Sequence, residues 1–255
     1  MKTASGFFRS FAGKCKNLLF PVGRCMCCDR PRGADADGLC PKCRAAVSAL
    51  TIPPESCERC LSHIRKGKPC AFCGGGGMDG IDRMYAPYRY QREVRSLVHL
   101  LKFSHETRAA ALLGNAMSDS LKDRDFDCIV PVPLHKYRRR ERGYNQSTLL
   151  AEVVSKNTGI PVREDLLLRT RATKAQSSLK AEDRSGNVEN AFKAVPACSG
   201  LRVLLLDDVR TSGNTAKACA KALRTEGAIS VSLLTAALVW NRAETESRKR
   251  KAGKE

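Results

Sequence analysis

Long hydrophobic runs are missing from this sequence of 255 residues, and aromatic residues make up only 5% of it. The longest apolar region, around residues 233–240, falls far short of the roughly 20 residues that a membrane-spanning helix needs. The sequence therefore predicts no transmembrane segment. With 42% hydrophobic and 28% charged residues, the composition is that of a globular protein, which excludes a wholly disordered or collagen-like chain. The length favours one large domain or two unequal ones.

An export signal and the common glycine-rich nucleotide loops are also lacking. The phenylalanines near the N-terminus are interrupted by Arg9 and Lys14, so no continuous apolar segment forms there. The run Gly74–Gly77 is not followed by Lys-Ser/Thr, which favours a flexible linker and a domain boundary over a phosphate loop. These absences favour a cytoplasmic protein with reduced thiols.

Acidic residues are scarce relative to basic ones. Asp and Glu number 26 against 45 Lys and Arg, which gives a net charge of +19. This excess favours polyanionic partners such as phosphates, nucleic acid or an anionic membrane surface, with an inert basic surface as the alternative. Residues 1–19 predict a short basic helix that packs on the next domain or, alternatively, lies on a membrane surface. Residues 241–255 predict a basic disordered tail.

Cysteine, in contrast, is abundant, with 13 residues in all. Eight of them form four C-x2-C units, and each unit is typical of a knuckle that presents two thiolates to one tetrahedral ion. Two successive pairs of knuckles predict two structural Zn²⁺ ions in a double zinc ribbon over residues 20–76. The predicted ligands are Cys25, Cys28, Cys40, Cys43, Cys57, Cys60, Cys70 and Cys73.

Several alternatives remain open for these cysteines. The knuckles can pair sequentially or in an interleaved order, and Cys27 can replace Cys28. His63 lies between two knuckles and can replace a cysteine. An iron–sulfur cluster, free thiols or disulfides are further interpretations of the same spacing.

Beyond residue 77 the hydrophobic pattern changes to alternating strands and helices. This order predicts an α/β domain with a parallel sheet over residues 77–240. Strands are predicted at 85–90, 128–132, 203–206 and 229–239, a helix at 145–157, and a long polar loop at 170–190. Two further helices are predicted from apolar residues three and four positions apart: Val94, Leu97, Val98 and Leu101 in one, and Ala216, Cys219, Ala220 and Leu223 in the other.

The stretch VLLLDDVRTSGNT, residues 203–215, carries the most specific signal. Ligands of open α/β sheets bind beyond the carboxyl ends of the strands, and a loop that enters a helix offers N–H groups to a phosphate. The paired carboxylates suit vicinal sugar hydroxyls or a Mg²⁺ ion. The alternative is an ordinary buried strand with an Asp-rich helix cap. The candidate binding residues are Asp207, Asp208, Arg210, Thr211, Ser212, Gly213, Asn214 and Thr215.

This stretch resembles the phosphoribosyl pyrophosphate (PRPP) motif of type I phosphoribosyltransferases, in which two acids bind the ribose hydroxyls and the T-[ST]-G-x-T loop holds the 5′-phosphate. The sequences IVPVPLH at 129–135 and RRRERGYNQ at 138–146, with the preceding double zinc ribbon, resemble the ComF family, which is associated with natural competence and DNA uptake. The resemblance covers about residues 18–240, and Cys27 and Arg210 depart from its pattern locally.

The resemblance implies a type I phosphoribosyltransferase-like fold that binds PRPP with Mg²⁺ and transfers the phosphoribosyl group to an unknown acceptor. It places the pyrophosphate loop after residue 133 and a mobile hood over residues 174–187. The implied contacts are Arg138, Arg139, Arg140 and Arg142 with pyrophosphate or nucleic acid, and Lys174, Lys180 and Arg184 on the hood. A solvated basic turn is the alternative for the arginines, and no catalytic base can be named.

A second hypothesis is a protein that binds PRPP or a nucleotide without turnover and handles single-stranded DNA together with competence or recombination machinery. Arginines interleaved with Tyr137 and Tyr144 suit single-stranded nucleic acid through phosphate contacts and base stacking.

Overall fold

The structure is a computed structural model of this chain, and it describes residues 23–31, 37–64, 67–104, 106–122, 125–170 and 191–240. The chain divides into two compact units, one within Met1–Ala49 and the other within Leu50–Glu255. The predicted N-terminal helix, the hood residues Lys174, Lys180 and Arg184, and the basic tail all lie outside the described residues. The domain boundary at the glycine run stays a prediction.

The first unit contains the helix α1 (Pro41–Ser48), which begins directly after Cys40. Proline suits the first helical turn because its missing N–H would have no partner there. The helix buries Cys43 and Val47.

The second unit is built on a sheet in the order β1–β7–β6–β3, in which β2 also pairs with β7. Every pairing in this sheet is parallel, which confirms the predicted α/β fold class. A separate antiparallel pair joins β4 to β5. The strands are β1 (Met84–Tyr85), β2 (Tyr88–Arg89), β3 (Cys128–Pro131), β4 (Leu167–Arg169), β5 (Phe192–Ala194), β6 (Arg202–Arg210) and β7 (Ser230–Leu238).

Helices cover both faces of the sheet. They are α2 (Ala71–Gly74), α3 (Arg92–Phe103), α4 (Thr107–Ser120), α5 (Lys136–Arg142), α6 (Gln146–Thr158) and α7 (Asn214–Thr225). Helix α7 packs on the face that carries Val203 and Leu205, and α4 and α6 contact β6, β7 and β3. Side chains alternate between the two faces of a strand, so the buried Leu204 and Leu206 serve the face opposite α7.

The apolar faces predicted for α3 and α7 are buried as expected. Among the helices within the described residues, none combines the length and the apolar character needed to cross a membrane.

Several elements differ from the sequence-based expectation. The strand predicted at 85–90 is split in two, and Pro87, which has no N–H to donate, lies at the break. Strand β6 continues to Arg210 because β7 keeps pairing with it, so the two aspartates lie within the last residues of the strand. Helices α4 and α5 were not predicted, and α5 replaces the loop or turn expected there.

Candidate functional site: an acid pair, a phosphate loop and two thiol clusters

A cavity of about 220 Å³ lies where β3, β6 and β7 reach their carboxyl ends. The two carboxylates of Asp207 and Asp208 line it together with five cationic residues: Lys102, Arg138, Arg142, Arg169 and Arg210. An excess of positive charge in a concave site attracts ligands that carry several negative charges. Lys102 and Arg169 were not among the predicted site residues.

The first carboxylate of the pair, that of Asp207, is fixed by two hydrogen bonds. Its Oδ1 accepts one from the Ser147 hydroxyl at 3.2 Å and one from the Asp208 N–H at 2.8 Å. Burial, together with the neighbouring negative charge of Asp208, raises the pKa of Asp207 to about 7. Near neutral pH this carboxyl therefore gains or loses its proton readily, and a cationic ligand would favour the charged form.

The second carboxylate, that of Asp208, forms an ion pair with Lys102 at 2.9 Å, and its side chain is only 6% exposed. Burial opposes the charged form of Lys102, but the two aspartates outweigh this effect and raise the pKa of its ammonium group. Lys102 therefore stays protonated and neutralises part of the negative charge of the acid pair.

The loop of residues 211–215 leads from β6 into α7 and lines the same cavity. Gly213 is the N-cap residue of α7 and has φ +83°, a left-handed conformation that glycine adopts without a steric penalty. The exposed Thr211 and Ser212 present their hydroxyls beside the helix N-terminus. Free N–H groups and hydroxyls at this position suit a phosphate monoester.

One residue of the cavity wall, Thr235, gave no signal in the sequence. It stands beside Asp207 in the sheet register and is completely buried. Within the described part of the chain its hydroxyl has no hydrogen-bond partner. Buried hydroxyls usually find a partner, so this group is available to a ligand or to water in the cavity.

The segment after β3 ties several elements to the acid pair. Asn145 caps α6 through the Ser147 N–H and donates to the carbonyl of Val132. The hydroxyl of Tyr144 donates to the carbonyl of Leu101 at 2.5 Å. These bonds hold α3, β3 and α6 together behind the two aspartates.

Helix α5 divides its four arginines between two environments. Arg138 and Arg142 are four residues apart, so they share one face, and both line the cavity. Arg139 and Arg140 are exposed and do not belong to the cavity wall. His135 caps this helix, where its Nδ1 accepts from the N–H of Tyr137 at 3.3 Å.

The guanidinium group of Arg210 lies 4.4 Å from the ring centroid of Phe72 and donates to the hydroxyl of Ser62 at 3.1 Å.

The eight knuckle cysteines form two groups of four. In each group the sulfur atoms all lie within 4.8 Å of one another, and the grouping is sequential: Cys25, Cys28, Cys40 and Cys43 in the first, and Cys57, Cys60, Cys70 and Cys73 in the second. Cys27 belongs to neither group, and the ring of His63 packs edge-on against Trp240 at 4.9 Å.

The sulfur geometry fits a tetrahedral ion. Zn–S bonds of about 2.3 Å place tetrahedral sulfurs about 3.8 Å apart. The sulfurs of Cys28 and Cys40 lie 3.8 Å apart, as do those of Cys57 and Cys73. Both groups could therefore hold a structural metal ion.

Comparisons with known proteins place this architecture in a family. No protein-family model matches the sequence. DNA utilization protein YhgH of Salmonella typhimurium is 31% identical over 222 residues, which cover 84% of this chain and 96% of that protein. The chain belongs to the ComF family. Competence protein F of Haemophilus influenzae is 29% identical over 215 residues, which cover 80% of this chain and 92% of that protein.

Among solved structures, this ComF-family chain is similar to the glutamine PRPP amidotransferase of Bacillus subtilis, with 22% identity and a TM-score of 0.36. That similarity covers 50% of this chain and spans only 26% of the amidotransferase.

Proposed function

We propose that this ComF-family protein binds PRPP together with Mg²⁺ in the cavity beside the acid pair, and that it transfers the phosphoribosyl group to an acceptor. The observation that carries the proposal is the placement of Asp207 and Asp208 beside the 211–215 loop in one cavity lined by five cations. A sugar that bears a monophosphate at one end and a diphosphate at the other would use all three: the acid pair for its hydroxyls, the loop for the monophosphate and the cations for the diphosphate.

The acid pair and the loop divide the ligand between them. Carboxylates accept hydrogen bonds from two neighbouring hydroxyls, so Asp207 and Asp208 bind the ribose diol. The 211–215 loop holds the 5′-phosphate through N–H groups and hydroxyls at the start of α7. The buried hydroxyl of Thr235 lies beside the acid pair and can donate to the same ligand.

The cationic side chains are placed to bind the diphosphate. In the transfer, the bond from the anomeric carbon to pyrophosphate breaks, the electron pair leaves with pyrophosphate, and a new bond forms to the acceptor. Negative charge accumulates on the leaving group, and Lys102, Arg138 and Arg142 would stabilise it by preorganised charge. The acceptor supplies the electron pair of the new bond, and the proton it loses passes to water or to the departing pyrophosphate.

The carboxylates and hydroxyls of the cavity also fit a Mg²⁺ ion, which prefers oxygen ligands and binds through few protein carboxylates together with substrate phosphates. When bound, Mg²⁺ supplies charge neutralisation to the diphosphate. Asp207 and Asp208 are the carboxylates that would hold it, either directly or through water.

Calorimetric titration of the protein with PRPP, with and without Mg²⁺, tests this proposal. Asp208→Asn removes one charged acceptor, and loss of a charged hydrogen bond is worth about 1.5–3 kcal/mol, or roughly a 10- to 100-fold drop in affinity. Asp165→Asn is the matched control because its carboxylate is exposed and pairs with Arg163 on the surface. Equal affinities for PRPP in the two variants would refute the assignment.

Each four-thiol group holds one structural Zn²⁺ in this proposal. All-cysteine tetrahedral sites are closed to substrate and stabilise folding rather than catalyse. A colourless protein that contains two zinc ions per chain is the expected result, and an iron–sulfur absorption spectrum would contradict it.

The surface around α5 favours a second function, binding of single-stranded DNA. Tyr137 is 72% exposed and Phe103 is 59% exposed, and the guanidinium group of Arg142 lies 4.9 Å from the Phe103 ring centroid. Exposed aromatic rings beside arginines offer base stacking and phosphate contacts together. The relatives named for DNA utilization and competence add support, and the partners would then be the competence or recombination machinery of a cytoplasmic protein.

The salt dependence of binding to a single-stranded oligonucleotide tests this second function. Each lost phosphate contact lowers the slope of log affinity against log salt by about 0.7. Arg139→Gln is expected to reduce the slope by about that amount, and Arg163→Gln, whose guanidinium pairs with Asp165, should leave it unchanged. Absence of binding at low salt would exclude this function.

A further inference from the structure

The candidate phosphate loop, residues 211–215, lies beside the second thiol cluster. This cluster is the group of Cys57, Cys60, Cys70 and Cys73. Phe72 belongs to the last knuckle of that cluster, between two of its cysteines. Arg210 is the final residue of β6 and immediately precedes the loop. These two residues are in direct contact, although they come from opposite ends of the second unit's sequence.

The side chain of Arg210 is buried and has two partners in this contact. Arg210 is only 5% exposed, and its guanidinium group stacks over the Phe72 ring at 4.4 Å while it donates to the Ser62 hydroxyl at 3.1 Å. The carbonyl of Ser62 accepts a hydrogen bond from the N–H of Cys57 at 2.9 Å. The residue that binds the guanidinium group is thus joined to a cysteine of the cluster through the backbone. A cation–π contact and a charged hydrogen bond in a buried place hold a side chain firmly.

Gly213 of the loop lies beside the same ring. A methyl group added at Gly213 would lie 3.5 Å from Cζ of Phe72 and 3.7 Å from the Gly77 carbonyl oxygen, which is ordinary van der Waals contact. The N–H of Gly77 donates to the carbonyl of Phe72 at 2.9 Å. The turn that precedes α7 therefore lies beside the knuckle that carries Phe72.

This knuckle cannot hold its shape alone. Helix α2, which contains Phe72, has only four residues, and so short a helix is unstable without tertiary or metal support. In small cysteine sites the free energy of metal binding is also free energy of folding. Loss of the metal would release Phe72, and with it the support under Arg210 and Gly213.

We propose that the second thiol cluster and the phosphate loop are energetically coupled through Phe72 and Arg210, so that a metal ion in the cluster strengthens binding of a phosphate ester at the loop. Phe72 and Arg210 are positioning residues in this scheme. The inference rests on the proposed binding of PRPP at the loop. Coupling between two binding sites is reciprocal, so PRPP must also strengthen retention of the metal.

Zinc release tests the coupling without any measurement of turnover. The zinc-loaded protein is treated with a chromogenic zinc chelator in excess Mg²⁺, with and without PRPP. Coupling free energies between sites correspond to about 5- to 150-fold changes in affinity. We expect PRPP to raise, by about 5-fold or more, the chelator concentration that removes one of the two zinc ions at equilibrium.

Two variants locate the route of the coupling. Phe72→Leu keeps an apolar side chain but removes the aromatic face, and Arg210→Met keeps the length but removes the charge. Both are expected to retain two zinc ions, to bind PRPP more weakly, and to lose the PRPP-dependent protection of zinc. Arg163→Met is the control, because its guanidinium pairs with Asp165 on the surface, and it should keep the protection.

The outcomes separate the two proposals. PRPP binding that leaves zinc release unchanged overturns the coupling and leaves the proposed function standing. If PRPP still protects the zinc in both Phe72→Leu and Arg210→Met, the coupling does not pass through these two residues. A zinc-saturated protein that fails to bind PRPP overturns the coupling and the proposed function together.

Discussion

The ammonium group of Lys102 lies 2.9 Å from Oδ2 of Asp208 and joins the last turn of α3 to the end of β6. A cation at this position offsets the repulsion between two adjacent carboxylates that line the same cavity. It also lines the cavity, so in the proposed complex the same side chain would offset part of the negative charge of a bound diphosphate.

Removal of this cation is expected to destabilise the protein strongly. Lys102→Met leaves the Asp208 carboxylate buried without a counter-charge, and breaking a buried ion pair in this way costs about 3–5 kcal/mol. The double variant Lys102→Met/Asp208→Asn should recover most of that loss. Denaturant unfolding measures both. Lys217→Met is the control, since Lys217 pairs with the 67% exposed Asp79 and should cost less than about 1 kcal/mol. Equal losses in the two lysine variants would contradict the role given to Lys102.

The titration of Asp207 predicts a pH dependence of stability. Its pKa in the folded protein is about 7, well above the ordinary value, so the folded state binds the proton more tightly than the unfolded state. Stability from this residue is therefore fully present below about pH 4 and is lost as the pH rises to about 7. Asp207→Asn cannot ionise and avoids that loss.

Thermal unfolding at pH 5 and pH 8, without Mg²⁺ or PRPP, measures this effect. The melting temperature of Asp207→Asn relative to the wild type should rise by a few degrees between the two pH values. The control Asp165→Asn should show no such rise, because hydrogen bonding to Arg163 lowers the pKa of Asp165 from its ordinary value and keeps it ionised throughout this range. A flat difference for Asp207→Asn would show that the carboxyl titrates normally.

The sequence predicted those parts of the molecule that follow from the spacing of residues within a short segment. Helices α3 and α7 each bury a stripe of residues three and four positions apart, and such stripes can be recognised without a structure. The thiol groups were predicted for the same reason, since C-x2-C spacing is a local property of the chain. Helix α5 buries none of its residues and so leaves no apolar stripe, whereas α4 buries Ala109, Ala110, Leu113 and Met117 on one face, a stripe that was missed.

Contacts between distant segments could not be predicted. Arg210 was expected at the phosphate loop, but its stacking on Phe72 depends on how the last knuckle packs beneath β6. Lys102 and Thr235 join the site only because α3 and β7 end beside the acid pair. Sequence spacing fixes which residues share a helix face, but it does not fix which faces meet.

The four-thiol groups predict distinct zinc contents for two cysteine variants. Cys60→Ser is expected to lower the zinc content from two ions to one and to reduce the stability of the second unit, because Cys60 is completely buried against the core. Cys27→Ser should keep both ions, since Cys27 lies outside the two four-thiol groups. Elemental analysis of purified protein measures both. Loss of zinc in Cys27→Ser would mean that Cys27 replaces Cys28 as a ligand.

A comparison of Gly213→Ala with Gly159→Ala distinguishes the loss of stability caused by the backbone from an effect on ligand binding. Both glycines have left-handed φ angles, +83° and +79°, so alanine at either position should cost about 1–2 kcal/mol of stability. Gly213 begins α7 at the cavity, whereas Gly159 ends α6 with nothing within 4 Å of an added methyl group.

Denaturant unfolding and PRPP titration of the two alanine variants therefore give different patterns. Similar losses of stability are expected in both, and weaker PRPP binding only in Gly213→Ala, because relief of its strained φ reorients the N–H groups that face the phosphate. If Gly159→Ala weakened PRPP binding equally, the loss would come from general destabilisation, and the 211–215 loop would no longer be singled out as the phosphate site.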